Sequence, residues 1–209
     1  MKNQSRRKFI QIATAGAVGA MIWPASTRAA DKSTLNNLLA AYDGESNAQA
    51  RYRAFAKKAD DEGYTKVASL FRAAARAGEA HVAELSRVVK KMGGVPKAEV
   101  KDAEAKSTKE NIEAVIKDTT RECESLYPEF IALAHSEGNK DAKKVFNYAK
   151  AAAKELSGLF ADGLAKLEGM KGGTLTVYVC TVCGFAALEL PEEKCPSCFE
   201  PLNKFTKIV

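Results

Sequence analysis

A 209-residue chain has room for one medium-sized domain and a small appendage. Its formal charge of +6 sits at the N-terminus, where Lys2, Arg6, Arg7, Lys8 and Arg28 stand without a single acid in the first 30 residues. Setting those five aside leaves 27 basic against 26 acidic residues, which excludes a nucleic-acid surface built on net charge.

In chain order, the first feature is an address. Ser5-Arg6-Arg7-Lys8-Phe9-Ile10 resembles a bacterial twin-arginine export signal. The apolar stretch from Ile10 to Trp23 is too short and too rich in Ala and Gly to span a bilayer comfortably. Thr27-Arg28-Ala29 supplies a small-x-small cleavage site, with Ala30 as an alternative end. Residues 1–30 are therefore expected to be a signal peptide. The mature chain is expected in the periplasm, off the membrane. That route carries folded proteins, which suits thiolates that must hold their metal before meeting an oxidising compartment.

Residues 33 to about 169 are rich in Ala, Lys, Glu and Leu and repeat at helical period in four stretches. The first aligns Leu35, Leu38, Tyr42, Glu45, Gln49, Tyr52 and Ala56 on one face. The second aligns Val67, Leu70, Ala74, Gly78, His81, Leu85, Val88 and Met92. The third aligns Ile112, Val115, Thr119, Glu122, Leu126, Phe130 and Leu133, with Thr108 as its expected cap. The fourth aligns Val145, Ala149, Ala152, Leu156, Leu159 and Gly163, with Ala153 and Phe160 at its edge. Breaks at Gly63 and Gly138 predict short antiparallel turns, and the link from Gly93 to Ser107 predicts one long crossover. This is ferritin-like four-helix connectivity, expected over 31–171. Cys123 reads as a small packing residue. Gly172-Gly173 predicts a flexible hinge into a second domain over 174–209.

That second domain holds Cys180-x-x-Cys183 and Cys195-x-x-Cys198. Two intervening residues let both thiolates of a pair face one tetrahedral centre, and the second pair completes a four-thiolate shell. The surroundings resemble rubredoxin: Tyr178 two residues before the first Cys, Gly184-Phe185 after the second, and Cys195-Pro196 opening the second pair. The resemblance implies one iron in the site, with zinc as the alternative. It also marks a departure, because Phe199 stands where the family has Gly. A bulky residue in left-handed backbone costs about 1 kcal/mol or more, so a distorted knuckle is expected there.

A helical bundle followed by such a module resembles rubrerythrin. The marks are Gly44-Glu45-Ser46, Leu70-Phe71-Arg72-Ala73-Ala74 before His81, Tyr127-Pro128-Glu129-Phe130 and Phe146-x-Tyr148-Ala149. The resemblance implies a mainly α fold with a small C-terminal β/knuckle domain and a homodimer. It also implies a di-iron centre for peroxide reduction, fed with electrons by the rubredoxin iron. That centre takes one Glu from the first helix, Glu-x-x-His from the second, Glu-x-x-Glu from the third and Glu-x-x-His from the fourth. Glu45, His81 and Glu122 match and remain candidates for a residual bundle site. Gly78, Thr119, Ala153 and Leu156 occupy the other four positions. One residue along a helix rotates a side chain by about 100°, so the neighbours Glu79, Glu124 and Glu155 do not restore the inward set. The expected function is therefore electron transfer through the four-cysteine iron, with donor and acceptor unnamed and the di-iron site largely lost. The alternatives are a peroxide reductase with a rearranged site and a non-catalytic zinc-ribbon scaffold.

Overall fold

The computed structural model describes residues 33–209, which belong to one compact unit, so the signal-peptide expectation lies outside the described residues. Helix α1 (Thr34–Asp61) and α2 (Thr65–Lys91) form the first hairpin; α3 (Thr108–Arg121), α4 (Tyr127–Ser136) and α5 (Lys140–Ala165) form the second half of the bundle. No described helix is long and apolar enough to cross a membrane.

Capping side chains fix where the helices begin. Ser33 accepts the Asn36 N–H at the start of α1, and Asn139 accepts the Ala142 N–H at the start of α5. Ser107, not Thr108, caps α3: it forms a reciprocal capping box with Glu110, and Thr108 is the first helical residue. Gly63 and Gly138 end α1 and α4 with φ of +80° and +69°, and the next residues, Tyr64 and Asn139, donate back to Ala59 and Ala134 at 2.8 Å. The long crossover lies against α1, where Asn47 bonds the Glu99 carbonyl and the Lys101 N–H and Asp43 accepts the Glu99 N–H.

The third stretch departs from simple periodicity. Between α3 and α4, Glu122–Leu126 form a π-helical segment, closed by the Tyr127 N–H on the Glu122 carbonyl. The wider turn inserts one residue and rotates everything after it. Tyr127 and Ala134 are buried in consequence, while Leu126, Phe130 and Leu133, which constant period places inside, are only half-buried. On α5 the expected edge residues Ala153 and Phe160 are fully in the core and Leu159 is half-buried. Met92 leaves the core altogether as the cap of α2.

The C-terminal module is a three-stranded antiparallel sheet in the order β2-β1-β3, from β1 (Val177–Cys180), β2 (Ala186–Ala187) and β3 (Phe205–Ile208). Tyr178 pairs with Ala187 on one side and Lys207 on the other. Val177, Val179 and Ala186 join the same buried cluster as Phe55, Phe71 and Phe160, so module and bundle share apolar core. The glycine linker is tied down rather than loose. Gly172 donates to the Gly63 carbonyl at 3.1 Å, and the Thr65 hydroxyl donates to the Gly173 carbonyl at 2.7 Å.

Candidate metal centre and the buried polar cluster

The sheet register brings the two cysteine knuckles together. Cys180 ends β1 opposite Phe205, and the Lys194–Pro201 bridge closes the second knuckle loop. The four sulfurs of Cys180, Cys183, Cys195 and Cys198 lie within 4.8 Å of one another, with Cys180–Cys198 at 3.6 Å and Cys183–Cys195 at 3.5 Å. A tetrahedral metal with bonds of about 2.3 Å needs sulfurs about 3.8 Å apart, so the donor set fits a single four-thiolate ion.

The surrounding backbone favours thiolate. The Cys180 thiol is brought down to about 5, first by a hydrogen bond from the Cys183 thiol and then by the backbone N–H groups of Cys183 and Val182. The same shared proton, together with burial, pushes Cys183 up, while the Phe185 N–H opposes the shift. Burial pushes Cys198 up to about 12 against the Glu200 N–H. N–H donors of this kind lower the cost of concentrating negative charge on sulfur and tune a bound metal's potential.

The knuckles match each other in backbone. Gly184 donates to the Cys180 carbonyl and Phe199 to the Cys195 carbonyl, both at 2.9 Å, with φ of +74° and +64°. The expected distortion at Phe199 is absent. The knuckle keeps its hydrogen bond, and the side chain absorbs the conflict by standing in solvent, at a backbone cost of about 1 kcal/mol or more.

Inside the bundle, His81 joins the module to α1. Its Nε2 lies 3.1 Å from the Cys183 carbonyl oxygen and its Nδ1 3.1 Å from Glu45 Oε1. Tyr127 donates to the same carboxylate oxygen at 2.7 Å. A carbonyl only accepts, so Nε2 carries a proton. Burial pushes Glu45 up, but the His81 charge and the hydrogen bonds from His81 and Tyr127 outweigh it and hold the carboxyl below its ordinary value. Burial likewise opposes charge on His81, and Glu45 with the Cys183 carbonyl outweighs it and raises the imidazole. Within this buried pair each partner favours the charged form of the other.

Glu122 lies apart from that pair. Burial first, then repulsion from Glu45 and Asp118, lifts it to about 8, so it is protonated at neutral pH. It lines a cleft of about 400 Å³ with Gly44, Arg51 and Asp118. Among the described residues no second group of three ligating side chains comes as close together as the four sulfurs. The other four positions offer little to a metal. The Thr119 hydroxyl turns back to the Val115 carbonyl at 2.8 Å, and Ala153 and Leu156 are buried carbon. A Cβ on Gly78 would stand 2.8 Å from Gln49 Cγ, so Gln49 fills the room beside that glycine. Glu79 is held at the surface by Arg53 and Arg76, and Glu124 and Glu155 are exposed. Cys123 is half-buried on the π segment and donates to the Thr120 carbonyl. Residue spacing gave no sign of the His81–Cys183 contact or of Gln49 packing on Gly78. The one cue was Gly184, whose missing side chain admits His81: a Cβ there would stand 2.3 Å from Nε2.

Comparison with known proteins agrees with this geometry. The family profile described as Rubrerythrin matches residues 36–155. Nigerythrin of Nitratidesulfovibrio vulgaris is 34% identical over 183 residues, covering 87% of this chain and 90% of that protein. Rubrerythrin-2 of Clostridium acetobutylicum is 31% identical over 175 residues, covering 82% and 95%. Among solved structures, the fully reduced, all-ferrous state of nigerythrin aligns with a TM-score of 0.78 at 30% identity over 98% of this chain and all of that one. A bacterioferritin from Mycobacterium tuberculosis, BfrA, shares the fold at a TM-score of 0.59 and 17% identity.

Proposed function

The chain belongs to the rubrerythrin family, and from that premise we propose that it is an exported one-electron carrier whose working centre is a single iron on Cys180, Cys183, Cys195 and Cys198. The observation that carries this reading is the four-sulfur set, closed to tetrahedral spacing and pressed against the bundle through Gly184 and His81. Iron held by four thiolates supplies reversible transfer of one electron without bond rearrangement. The chain's own part is to bind the ion, spread its negative charge over backbone N–H donors and fix the module in place. Iron rather than zinc is favoured by the rubredoxin-like surroundings and by the all-ferrous state described for nigerythrin.

The bundle in this reading is a scaffold with its di-iron site lost. Four of seven ligand positions carry no metal donor of the family's kind, and two carboxylates with one imidazole offset too little of the charge of an iron pair. The remaining polar groups satisfy one another: His81 pairs with Glu45, Tyr127 bonds Glu45, and Glu122 holds its proton. Export by the twin-arginine route and action in the periplasm as a homodimer complete the proposal. Spectroelectrochemical titration of the mature iron-loaded chain tests it. One electron per chain should bleach a red thiolate-to-iron charge-transfer band reversibly; a colourless, redox-silent protein after iron-supplemented expression would overturn the reading.

A further inference from the structure

We propose that the cleft between α1 and the π segment is a binding site for a small monocarboxylate with an apolar body, a function separate from electron transfer. The π turn opens this cleft. By inserting one residue it leaves Leu126 and Phe130 half-buried on the wall of a cavity of about 400 Å³, which Ala40 and Gly44 of α1 also line. Single π turns inside α-helices occur often at functional sites. Gly44 keeps the space free. A glycine inside a helix is destabilising relative to alanine, and a Cβ here would meet nothing within 4 Å, so packing within the protein does not call for it. What the missing side chain spares is the volume of the cleft.

The polar groups of the cleft are short of partners. The Arg121 guanidinium and the Glu122 carboxyl both line it, and neither makes a hydrogen bond or ion pair with a described residue. Arg51 bonds Asp118 through Nη1 at 3.1 Å, while its Nε is enclosed and has no acceptor. A buried donor left unpaired is costly, and a turn of this half-exposed guanidinium onto a bound carboxylate gives Nε an acceptor. With Glu122 protonated, two guanidiniums stand against the single charge of Asp118, so the cleft has place for one further negative charge. A ligand carboxylate fills it, held by Arg121 and Arg51 and accepting from the Glu122 hydroxyl, while its hydrocarbon lies on Leu126 and Phe130. The cleft on the other side of Arg51 makes the contrast. There Asp43, Asp102 and Glu104 stand against Lys101, an arrangement that repels an anion. Straight-chain and aromatic acids share the chemistry that the first cleft recognises.

The test is calorimetric titration of the full mature chain, its four-cysteine site loaded with zinc, with octanoate and with benzoate. Saturable binding of either acid is expected, and the tighter of the two identifies the hydrocarbon class. The matching amide, which lacks the charge, and acetate, which lacks the apolar body, should each bind at least about tenfold more weakly. Arg121→Gln, at an exposed position, should weaken the acid at least about tenfold and leave the melting temperature unchanged. Gly44→Leu should abolish binding by filling the cleft. Gly44→Ala should melt higher and still bind more weakly, because its methyl favours the helix and takes ligand volume, so the loss is not lost folding. No saturable binding of either acid overturns the proposal. So does an amide that binds as tightly as its acid, or an Arg121→Gln variant that binds like wild type. Gly44 variants that alter the dimer and leave the affinity unchanged would assign the cleft to a second copy of the chain and overturn it as well.

Discussion

Nε2 of His81 lies 3.1 Å from the carbonyl oxygen of Cys183, so one side chain of α2 touches the backbone of a metal-ligand residue 102 positions later. The same ring bonds Glu45 at 3.1 Å. The rubrerythrin resemblance implies a metal ligand at this histidine position. Here its two nitrogens are committed to a carboxylate and a carbonyl, which turns the position into a fastening between bundle and module.

Removing one half of that pair should be costly. Glu45→Gln leaves the buried His81 without its counter-charge, and breaking a buried pair in this way costs about 3–5 kcal/mol. The imidazole should then fall from its raised value, because burial is left opposed only by the Cys183 carbonyl and Glu122. Chemical denaturation and a histidine NMR titration check both effects.

Gly184→Ala should loosen the fastening without touching a charge. The added methyl would meet His81 and would sit at φ +74°, so a loss of about 1–3 kcal/mol is expected. The imidazole resonances should lose the signature of the Cys183 contact while the four-cysteine site still binds one metal. An unchanged melting temperature and unchanged resonances would mean that the module does not rest on His81.

The pH dependence should come chiefly from Glu122. Its folded-state value of about 8 lies above the ordinary 4.5, so between those values the unfolded chain has lost a proton that the folded chain keeps. Stability therefore falls as pH rises through that window, with a slope of up to about 1.4 kcal/mol per pH unit. His81, raised above its ordinary 6.5, acts in the same direction: its stabilisation is complete below 6.5 and is lost as pH rises through the folded value. Glu122→Gln should flatten most of the slope and make the protein more stable than wild type at pH 8. Parallel curves for the two proteins between pH 5 and 8 would show that Glu122 ionises normally.

Much of this was legible in the sequence, for reasons that can be named. The bundle followed from apolar period and from Gly63 and Gly138, because amphipathic faces and left-handed turns are local properties. The four-cysteine set followed from its spacing. The register of α4 did not follow, because a π segment at Glu122–Leu126 leaves no periodic trace, and Tyr127 replaced Leu126 inside. Nor could the side chain beside Gly78 be read, since Gln49 reaches it from another helix.

Gln49 also sets the terms for rebuilding the bundle site. Gly78→Glu, Thr119→Glu, Ala153→Glu and Leu156→His together restore the family's donors, but the new side chain at 78 collides with Gln49. The quadruple variant should fold poorly without iron, and adding Gln49→Ala should relieve the clash and allow iron uptake. Calorimetry with and without ferrous iron distinguishes the two variants. Equal behaviour would place Gln49 outside the site.

The most direct test of the whole account is an iron count joined to Mössbauer spectroscopy on the purified, mature, iron-loaded chain. One iron per chain, high-spin and tetrahedral in sulfur, with no exchange-coupled pair and negligible peroxide turnover, is the expected result. Three irons per chain, two of them coupled through an oxygen bridge and reoxidised rapidly by peroxide, would contradict the central claim that the electron-transfer site survives and the di-iron site is gone.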